Sequence, residues 1–425
     1  MNLVNPALLT ASFAALASAA DATAAPAPEP KPACEADRRP NIIVIMTDQQ
    51  TAGALSCAGN PWVATPAMDA LAADGVRFTR AYCPYPLSGP CRASLITGRM
   101  PFETGATDNG VRPSAEALRE GIGHRLSAAG YECLYAGKWH VPEVNLPDSG
   151  TGFRRIARMG DPTLAAACDE ALAGYDGRRP LLLVASLLNP HEICEYGRHE
   201  TLQYGELAPF ATEECPNLPA NFRPSTYAAE ALTLERTASP RYHDTYTFTE
   251  DDWRRYLYAY YRFVERADRE VGRIVEVLKR RGFYDDAVIL FLSDHGDGVA
   301  AHGWNQKWNL QEEVINVPLI VKTPKGCGPR GVVNREALSN VGLDLYATLC
   351  DYAGVELDPE RYRGRSLRPV AEGRAATLHD GVFVETLLSG VGMRGWSLVG
   401  ARYKYVLYQW GRNREALYDL QDDSG

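Results

Sequence analysis

The sequence predicts an α/β protein: a mostly parallel central sheet flanked by helices, with a small antiparallel sheet at the C-terminal end. Three observations carry this. Residues 41–46 (N-I-I-V-I-M), 180–188, 288–292 and 317–321 are unbroken apolar runs, the pattern of strands buried on both faces. Helical segments separate most of them, which is the alternation that a parallel sheet requires. From about His379 the pattern changes to short strands broken by polar turns, at 382–385, 396–399, 403–408 and 416–420.

The elements follow in order. The first run ends in Thr47-Asp48-Gln49-Gln50. A helix is predicted next, with Thr65 as N-cap, Pro66 at the first helical position and Gly75 as its stop. Residues 115–129 read as one helix stopped by Gly130, followed by a strand at 131–135. The longest helix is predicted over 250–281, capped by Thr249 and stopped by Gly282. Its apolar residues Trp253, Leu257, Tyr260, Val264, Val271, Ile274 and Leu278 fall at helical spacing. The run 288–292 ends in Ser293-Asp294-His295-Gly296. Residues 195–248 lack periodicity and are rich in Tyr, Pro and Glu, so an inserted surface region is expected there. No internal repeat occurs.

The chain has 425 residues, room for one large domain and a smaller one. We place the large domain at 39–375 and the smaller one at 376–425, which ends in D-D-S-G, a turn-like sequence that reads as incomplete. The net charge of −9, with no Lys/Arg run, argues against a nucleic-acid partner. An acidic protein that handles an anion must gather positive charge locally. Residues 7–20 are Ala-rich and uncharged, and small residues at Ala17 and Ala19, or Ala22 and Ala24, suit a signal-peptidase site. Residues 1–25 are therefore read as a signal peptide, although no Lys or Arg precedes the apolar stretch. Residues 26–38 read as a Pro/Ala linker, and the protein as exported, periplasmic or secreted. The stretch is too short and too weakly apolar for stable membrane insertion. Ten cysteines without a C-x-x-C pair argue against a zinc site and a disulfide scaffold; most are expected to be buried thiols, with room for one or two disulfides in an exported protein.

In parallel sheets ligands sit beyond the carboxyl ends of the strands. Asp48 and Asp294 both lie at such ends. The most informative stretch is 87–99, L-S-G-P-C-R-A-S-L-I-T-G-R. It resembles the signature of the type I, formylglycine-dependent sulfatases: Cys or Ser, any residue, Pro, usually Ser, then Arg, followed by a short helix ending in Thr-Gly-Arg. Here these are Ser88, Gly89, Pro90, Cys91 and Arg92, then Thr97-Gly98-Arg99; Cys91 in place of the usual Ser is the departure. Cys83 does not fit, because Tyr85 and Leu87 stand where Pro and Arg are required. Further stretches resemble the family in the same order: 41–50, 65–82, Gly137-Lys138-Trp139-His140, Asn189-Pro190-His191, Ser293-Asp294-His295-Gly296, and Lys307 ahead of 317–321.

This resemblance covers nearly the whole chain and implies an alkaline phosphatase-like fold and a sulfuric ester hydrolase. It implies that Ser88 is converted to formylglycine, an aldehyde held as its hydrate. One hydroxyl attacks sulfur and the second then expels sulfate, dividing one hard step in two. Asp48, Gln49, Asp294 and His295, with modified Ser88, are implied to hold one divalent metal. Ca2+ is expected, with Mn2+ or Mg2+ as alternatives, since an imidazole is a poorer partner for calcium than oxygen. Arg92, Lys138 and Lys307 supply positive charge for the sulfate oxygens. By resemblance His140 deprotonates the hemiacetal, and either His191 or Lys307 protonates the leaving oxygen. Lys138 and His140 are expected to alternate along one extended segment and so point the same way. Asn109 is a further pocket candidate. A serine at position 88 implies a radical-type sulfatase-maturing enzyme as partner. The substrate is expected to be a sulfated small molecule or glycan, most often a carbohydrate sulfate in exported bacterial relatives. The alternative is a phosphodiesterase or phosphonate monoester hydrolase of the same superfamily, against which Lys138 with His140 counts. An inactive glycan-binding protein would result if Ser88 were never modified.

Overall fold

The computed structural model describes residues 39–141, 150–239, 245 and 247–422. The expected signal peptide and linker lie outside them. Among the described residues no helix is long and apolar enough to cross a membrane.

The strands, in chain order, are β1 (Asn41–Asp48), β2 (Val76–Phe78), β3 (Ala81–Tyr82), β4 (Glu132–Gly137), β5 (Arg154–Ala157), β6 (Leu181–Pro190), β7 (Ala287–Ser293), β8 (Leu319–Lys322), β9 (Val332–Asn334) and β10 (Ser339–Asn340). Four more follow: β11 (Gly381–Leu388), β12 (Met393–Gly400), β13 (Tyr403–Tyr408) and β14 (Glu415–Asp419). The main sheet has eight strands in the order β5-β4-β6-β1-β7-β8-β2-β9. β1 runs parallel to both β6 and β7, and β4 parallel to β5 and β6. β3 pairs with β10 in a separate two-stranded sheet.

β1, β6 and β7 occupy the middle and are almost wholly buried, which is why they read as unbroken apolar runs. Ile43, Ile45, Leu183, Ile289 and Phe291 pack on one face with the helices Pro66–Ala73, Asp161–Ala173 and Glu250–Arg280. Ile42, Val44, Leu182, Leu290 and Leu292 pack on the other with Ser88–Thr97, Ile122–Ala128 and Val341–Ala353. The predicted small sheet is β11-β12-β13-β14, antiparallel throughout. It is stitched to the main body by Glu385 N donating to Pro84 O at 3.0 Å and by Asn340 Nδ2 donating to Phe383 O at 3.0 Å.

Several local expectations need correction. The helix expected over 115–129 is two, Ala115–Arg119 and Ile122–Ala128. Gly121 breaks it with ψ 151, and a Cβ there would lie 3.0 Å from Leu118 O. The run 317–321 becomes β8, which is antiparallel to β7. No long helix carries the chain back to the amino edge between them, so it re-enters the sheet from the end at which it left. Thr65 occupies the N-cap position, but its hydroxyl donates to Asp69 at 2.9 Å. Asp268 does the capping from the neighbouring helix, accepting from Ala67 N and Met68 N. Residues 195–248 are not merely surface: Leu202 is buried, and the short helix Glu230–Ala238 lies within them. Among the described residues seven of the eight free cysteines are buried, and Cys327 is in a disulfide.

The helix Glu250–Arg280 begins as predicted, with Thr249 Oγ1 accepting from Asp252 N at 3.2 Å. Its second half covers the sheet through Ala267, Val271, Ile274 and Leu278. Its first half carries Tyr256 and Tyr260, whose hydroxyls reach the loops beyond β7 and β1.

Candidate active site

Register places the site. Met46 pairs with Leu292 and Thr47 with Ser293, so the two neighbouring strands end level and Asp48 and Asp294 emerge side by side. Asp294 Oδ1 then accepts two backbone amides, from Gln49 at 3.1 Å and from His295 at 2.9 Å. Gln49 makes this turn with φ 70, a left-handed conformation uncommon outside glycine.

The helix Ser88–Thr97 points its N-terminus at this pair. Ser88 Oγ lies 2.9 Å from His295 Nε2 and 3.4 Å from Asp48 Oδ1. Gly89 N donates to Asn109 Oδ1 at 2.9 Å, and a Cβ on Gly89 would stand 2.8 Å from that oxygen. Asn109 therefore fixes the start of the helix. Cys91, the departure from the usual Ser, donates its thiol to Asp294 O at 2.8 Å.

One turn further on, Arg92 is almost completely buried. Its Nε donates to Asp294 Oδ2 at 2.8 Å and its Nη2 to Asp48 Oδ2 at 2.9 Å. Nη1 donates to Lys138 O and Ser186 Oγ, both at 2.8 Å. The guanidinium thus clamps the two carboxylates rather than standing free. Lys138 Nζ lies 2.7 Å from Asp48 Oδ2. Lys307 Nζ donates to Gln49 Oε1 at 2.8 Å. His140 has φ 52, so the expected extended alternation from Lys138 ends at a left-handed turn.

The ligand atoms of Asp48, Asp294 and His295, all buried, lie within 4.8 Å of one another. His295 Nδ1 is 2.9 Å from Gly296 O, which sets the proton on Nδ1 and leaves the Nε2 lone pair facing Ser88. Two buried carboxylates and an oriented, unprotonated imidazole nitrogen suit a divalent cation. Gln49 presents its Oε1 to Lys307 and also accepts from the Cys194 thiol.

The charges are unequal. Burial works to raise Asp48, but Lys138 and then Arg92 outweigh it and hold the carboxyl well below its usual range. Burial and then the neighbouring Asp48 push Asp294 up to about 7. Burial and then Lys307 hold His295 well below the ordinary histidine value, so it is neutral. Burial, Lys138 and Lys307 bring His191 down to about 4. His140 stands at the mouth, exposed on one side; burial on the other, then Lys138, hold it down to about 3.

Sequence reading missed Asp297. Its buried carboxylate accepts from Gln49 Nε2 at 2.8 Å, Val299 N at 2.8 Å, Gln306 N at 3.1 Å and Tyr256 OH at 3.0 Å. It so pins a loop in which Val299, Ala300, His302, Gln306 and Trp308 all have positive φ and which carries Lys307. Its place three residues after Asp294 was the available signal. Tyr256 had none, since its ring belongs to the apolar stripe of its helix.

A profile described as Sulfatase matches residues 40–355, and one described as N-sulphoglucosamine sulphohydrolase, C-terminal, matches residues 300–425. The chain is 28% identical over 424 residues to a Delta 4,5-hexuronate-2-O-sulfatase of Bacteroides thetaiotaomicron, covering 92% of this chain and 85% of that one. A solved 2-O GAG sulfatase superposes with a TM-score of 0.79 at 26% identity, over 91% of this chain and 86% of that one. A phosphonate monoester hydrolase of Agrobacterium radiobacter, with a TM-score of 0.74 at 23% identity over 91% and 90% of the two chains, shares the fold.

Proposed function

We propose a mechanism and a substrate class for this chain, which belongs to the sulfatase family and is a sulfuric ester hydrolase. The substrate is a sulfate monoester on a carbohydrate. Relatives named for a hexuronate 2-O-sulfate and for glycosaminoglycan support this class.

The observation that carries the mechanism is Ser88 Oγ at a helix N-terminus, 2.9 Å from His295 Nε2 and 3.4 Å from Asp48 Oδ1, with Arg92, Lys138 and Lys307 around it. Asp48, Gln49, Asp294, His295 and modified Ser88 would hold the divalent ion; we take calcium, with manganese and magnesium as the alternatives that the imidazole keeps open. Formylglycine at Ser88 would supply a hydroxyl nucleophile, and an ion held there would lower its pKa and neutralise a sulfate oxygen. Arg92 holds the two carboxylates at ligand spacing. The Lys138 and Lys307 ammoniums, now on Asp48 and Gln49, are placed to take sulfate oxygens. His140, neutral at rest, accepts the hydroxyl proton. Lys307 is engaged with Gln49, so we assign protonation of the leaving oxygen to His191, whose protonated form a bound anionic ester favours. The protein would be exported and matured beforehand by a radical-type enzyme able to oxidise serine.

The test is a mass spectrum of the peptide containing Ser88, from protein made with such a partner, joined to turnover of aryl sulfate, aryl phosphonate and phosphodiester substrates. Loss of two hydrogens with preference for the sulfate is expected. Robust sulfatase activity from unmodified Ser88 would overturn the mechanism. Preference for phosphonate or diester would overturn the substrate class.

A further inference from the structure

We propose that Glu195 is the positioning residue for the leaving-group acid: its carboxylate orients the His191 imidazole through Nδ1, so that Nε2 delivers the proton to the departing oxygen. This rests on the assignment of His191 as that acid.

The geometry comes from the end of β6. The strand stops at Pro190, His191 N donates back to Leu188 O at 3.1 Å, and the helix Ile193–Gly197 begins at once. His191 and Glu195 are four residues apart, so their side chains lie on one side of this turn. His191 Nδ1 and Glu195 Oε2 are 3.6 Å apart. Both atoms are buried, and neither has a hydrogen-bond partner among the described residues. A buried acceptor and a buried ring nitrogen left unpaired are costly, and here each is the other's nearest remedy. A small side-chain rotation closes the gap once a proton sits on Nδ1. The other carboxylate oxygen, Oε1, is held by Arg198 Nη2 at 3.4 Å, and Arg198 is itself held by Glu200 at 2.9 Å. The carboxylate is therefore braced from the solvent side and free toward the imidazole.

His191 needs such a partner because of its surroundings. Burial, then Lys138 and Lys307, oppose a positive charge on the ring, and Asp48 only partly offsets them. Glu195 adds a negative charge 3.6 Å from Nδ1. Burial tends to raise the Glu195 pKa, but His191 outweighs it and brings the carboxyl down to about 2, so it is ionised at neutral pH. In the step, the nucleophile's oxygen bonds to sulfur as the ester S–O bond breaks with its electron pair going to the leaving oxygen, the Nε2 proton moves to that oxygen, and the imidazolium becomes neutral. The carboxylate does not itself take the proton.

The need for a proton depends on the leaving group. A sugar hydroxyl or phenol must be protonated as it leaves, whereas 4-nitrophenolate leaves unaided. We therefore expect Glu195→Gln, in the matured full-length enzyme, to slow phenyl sulfate turnover by about 10-fold to 100-fold, while 4-nitrophenyl sulfate stays within about twofold. His191→Asn should give the same split, larger. A purely structural role for Glu195 would slow both substrates equally. Equal loss on both, or no loss on either, in Glu195→Gln while His191→Asn keeps the split would overturn the proposal. No split in His191→Asn would overturn the assignment of the acid, and the proposal with it. Nitrogen NMR of His191 in unmatured protein gives a readout without turnover: Nδ1–H in the native chain and a mixed tautomer in Glu195→Gln. A native mixture unchanged by the substitution would also overturn it.

Discussion

The two ends of the central sheet both bury charge, and they spend it differently. At the amino end, level with Ile289, Lys322 points its ammonium at the carbonyls of Tyr284, Asp285 and Ala287. Those carbonyls belong to the turn that feeds β7, and the ammonium also lies 4.7 Å from the centre of the Tyr284 ring, so this charge closes a loop. At the carboxyl end, Arg92 and Lys138 meet Asp48 and Asp294, and Lys307 meets Gln49. Two carboxylates buried together are poor for stability: burial, and then Asp48, push Asp294 up to about 7. The difference teaches that one end is arranged for the fold and the other for a cation and an anion that the chain itself does not contain. Substitutions should therefore divide cleanly: activity without stability at the carboxyl end, stability without activity at the amino end.

The largest effect is expected at Ser88. Ser88→Ala should abolish turnover in every host, with an unchanged melting temperature, because only one buried hydroxyl is lost. Ser88→Cys should regain activity in an aerobic host supplying only the oxygen-dependent formylglycine enzyme, which acts on a thiol. Residual turnover by Ser88→Ala, measured beside its unfolding curve, would break the division at its strongest point. Asp294→Asn comes next. It keeps the shape between Arg92 and the amides of Gln49 and His295 but removes a ligand charge. We expect the rate to fall by about 10²–10⁴ and metal content to drop, with circular dichroism unchanged. Full activity at full metal occupancy would remove Asp294 from the site.

How much of this was legible in the sequence follows from the range of the interactions. β1 and β7 announced themselves, because burial on both faces leaves a short apolar run, rich in β-branched residues, that ends in a polar turn. Asp48 and Asp294 were legible as polar residues ending such runs, and Arg92 by its single turn from Ser88. Asp297 was not, because its partners Gln49 and Tyr256 are 248 and 41 residues away in the chain. The break at Gly121 was hidden because glycine within an apolar periodic stretch is tolerated in a helix, and the contact that decides it, Leu118 O against the missing Cβ, is a matter of geometry. The turn at His140 was equally hidden, since histidine gives no advance sign of φ 52.

At the amino end the expected effect is smaller and of the other kind. Lys322→Met should fill the same space while leaving three carbonyls short of a donor. We expect a loss of about 1–3 kcal/mol in unfolding free energy, read from urea melts. kcat in the matured enzyme should be unchanged. A fall in kcat larger than the fall in folded fraction would mean that the two ends are coupled through the sheet, and the division would fail.

The smallest effect tests a third place, the seam of the small sheet, where a buried carboxylate has no cation among the described residues hydrogen-bonded to it. Glu385 accepts from Phe102 N at 3.2 Å. Burial pushes its pKa up to about 7; the Phe102 amide opposes this, Glu103 adds to it and Arg394 offsets a little. In the unfolded chain a glutamate titrates near 4.3. Between about pH 4.5 and 7 the native state thus holds a proton that the unfolded state has lost. Stability contributed by this group is full below that window and falls as pH rises through it. Glu385→Gln keeps an oxygen for Phe102 N and has no charge to bury. It should match the native chain at pH 4.5 and become more stable than it by about 1–3 kcal/mol at pH 7.5. Because both proteins share every other titrating group, the difference between their urea melts at each pH isolates this one. Turnover should not change, since Glu385 touches none of the residues around Ser88. Parallel stability profiles from pH 4.5 to 7.5 would mean that the seam, unlike the carboxyl end of the sheet, already compensates its buried charge.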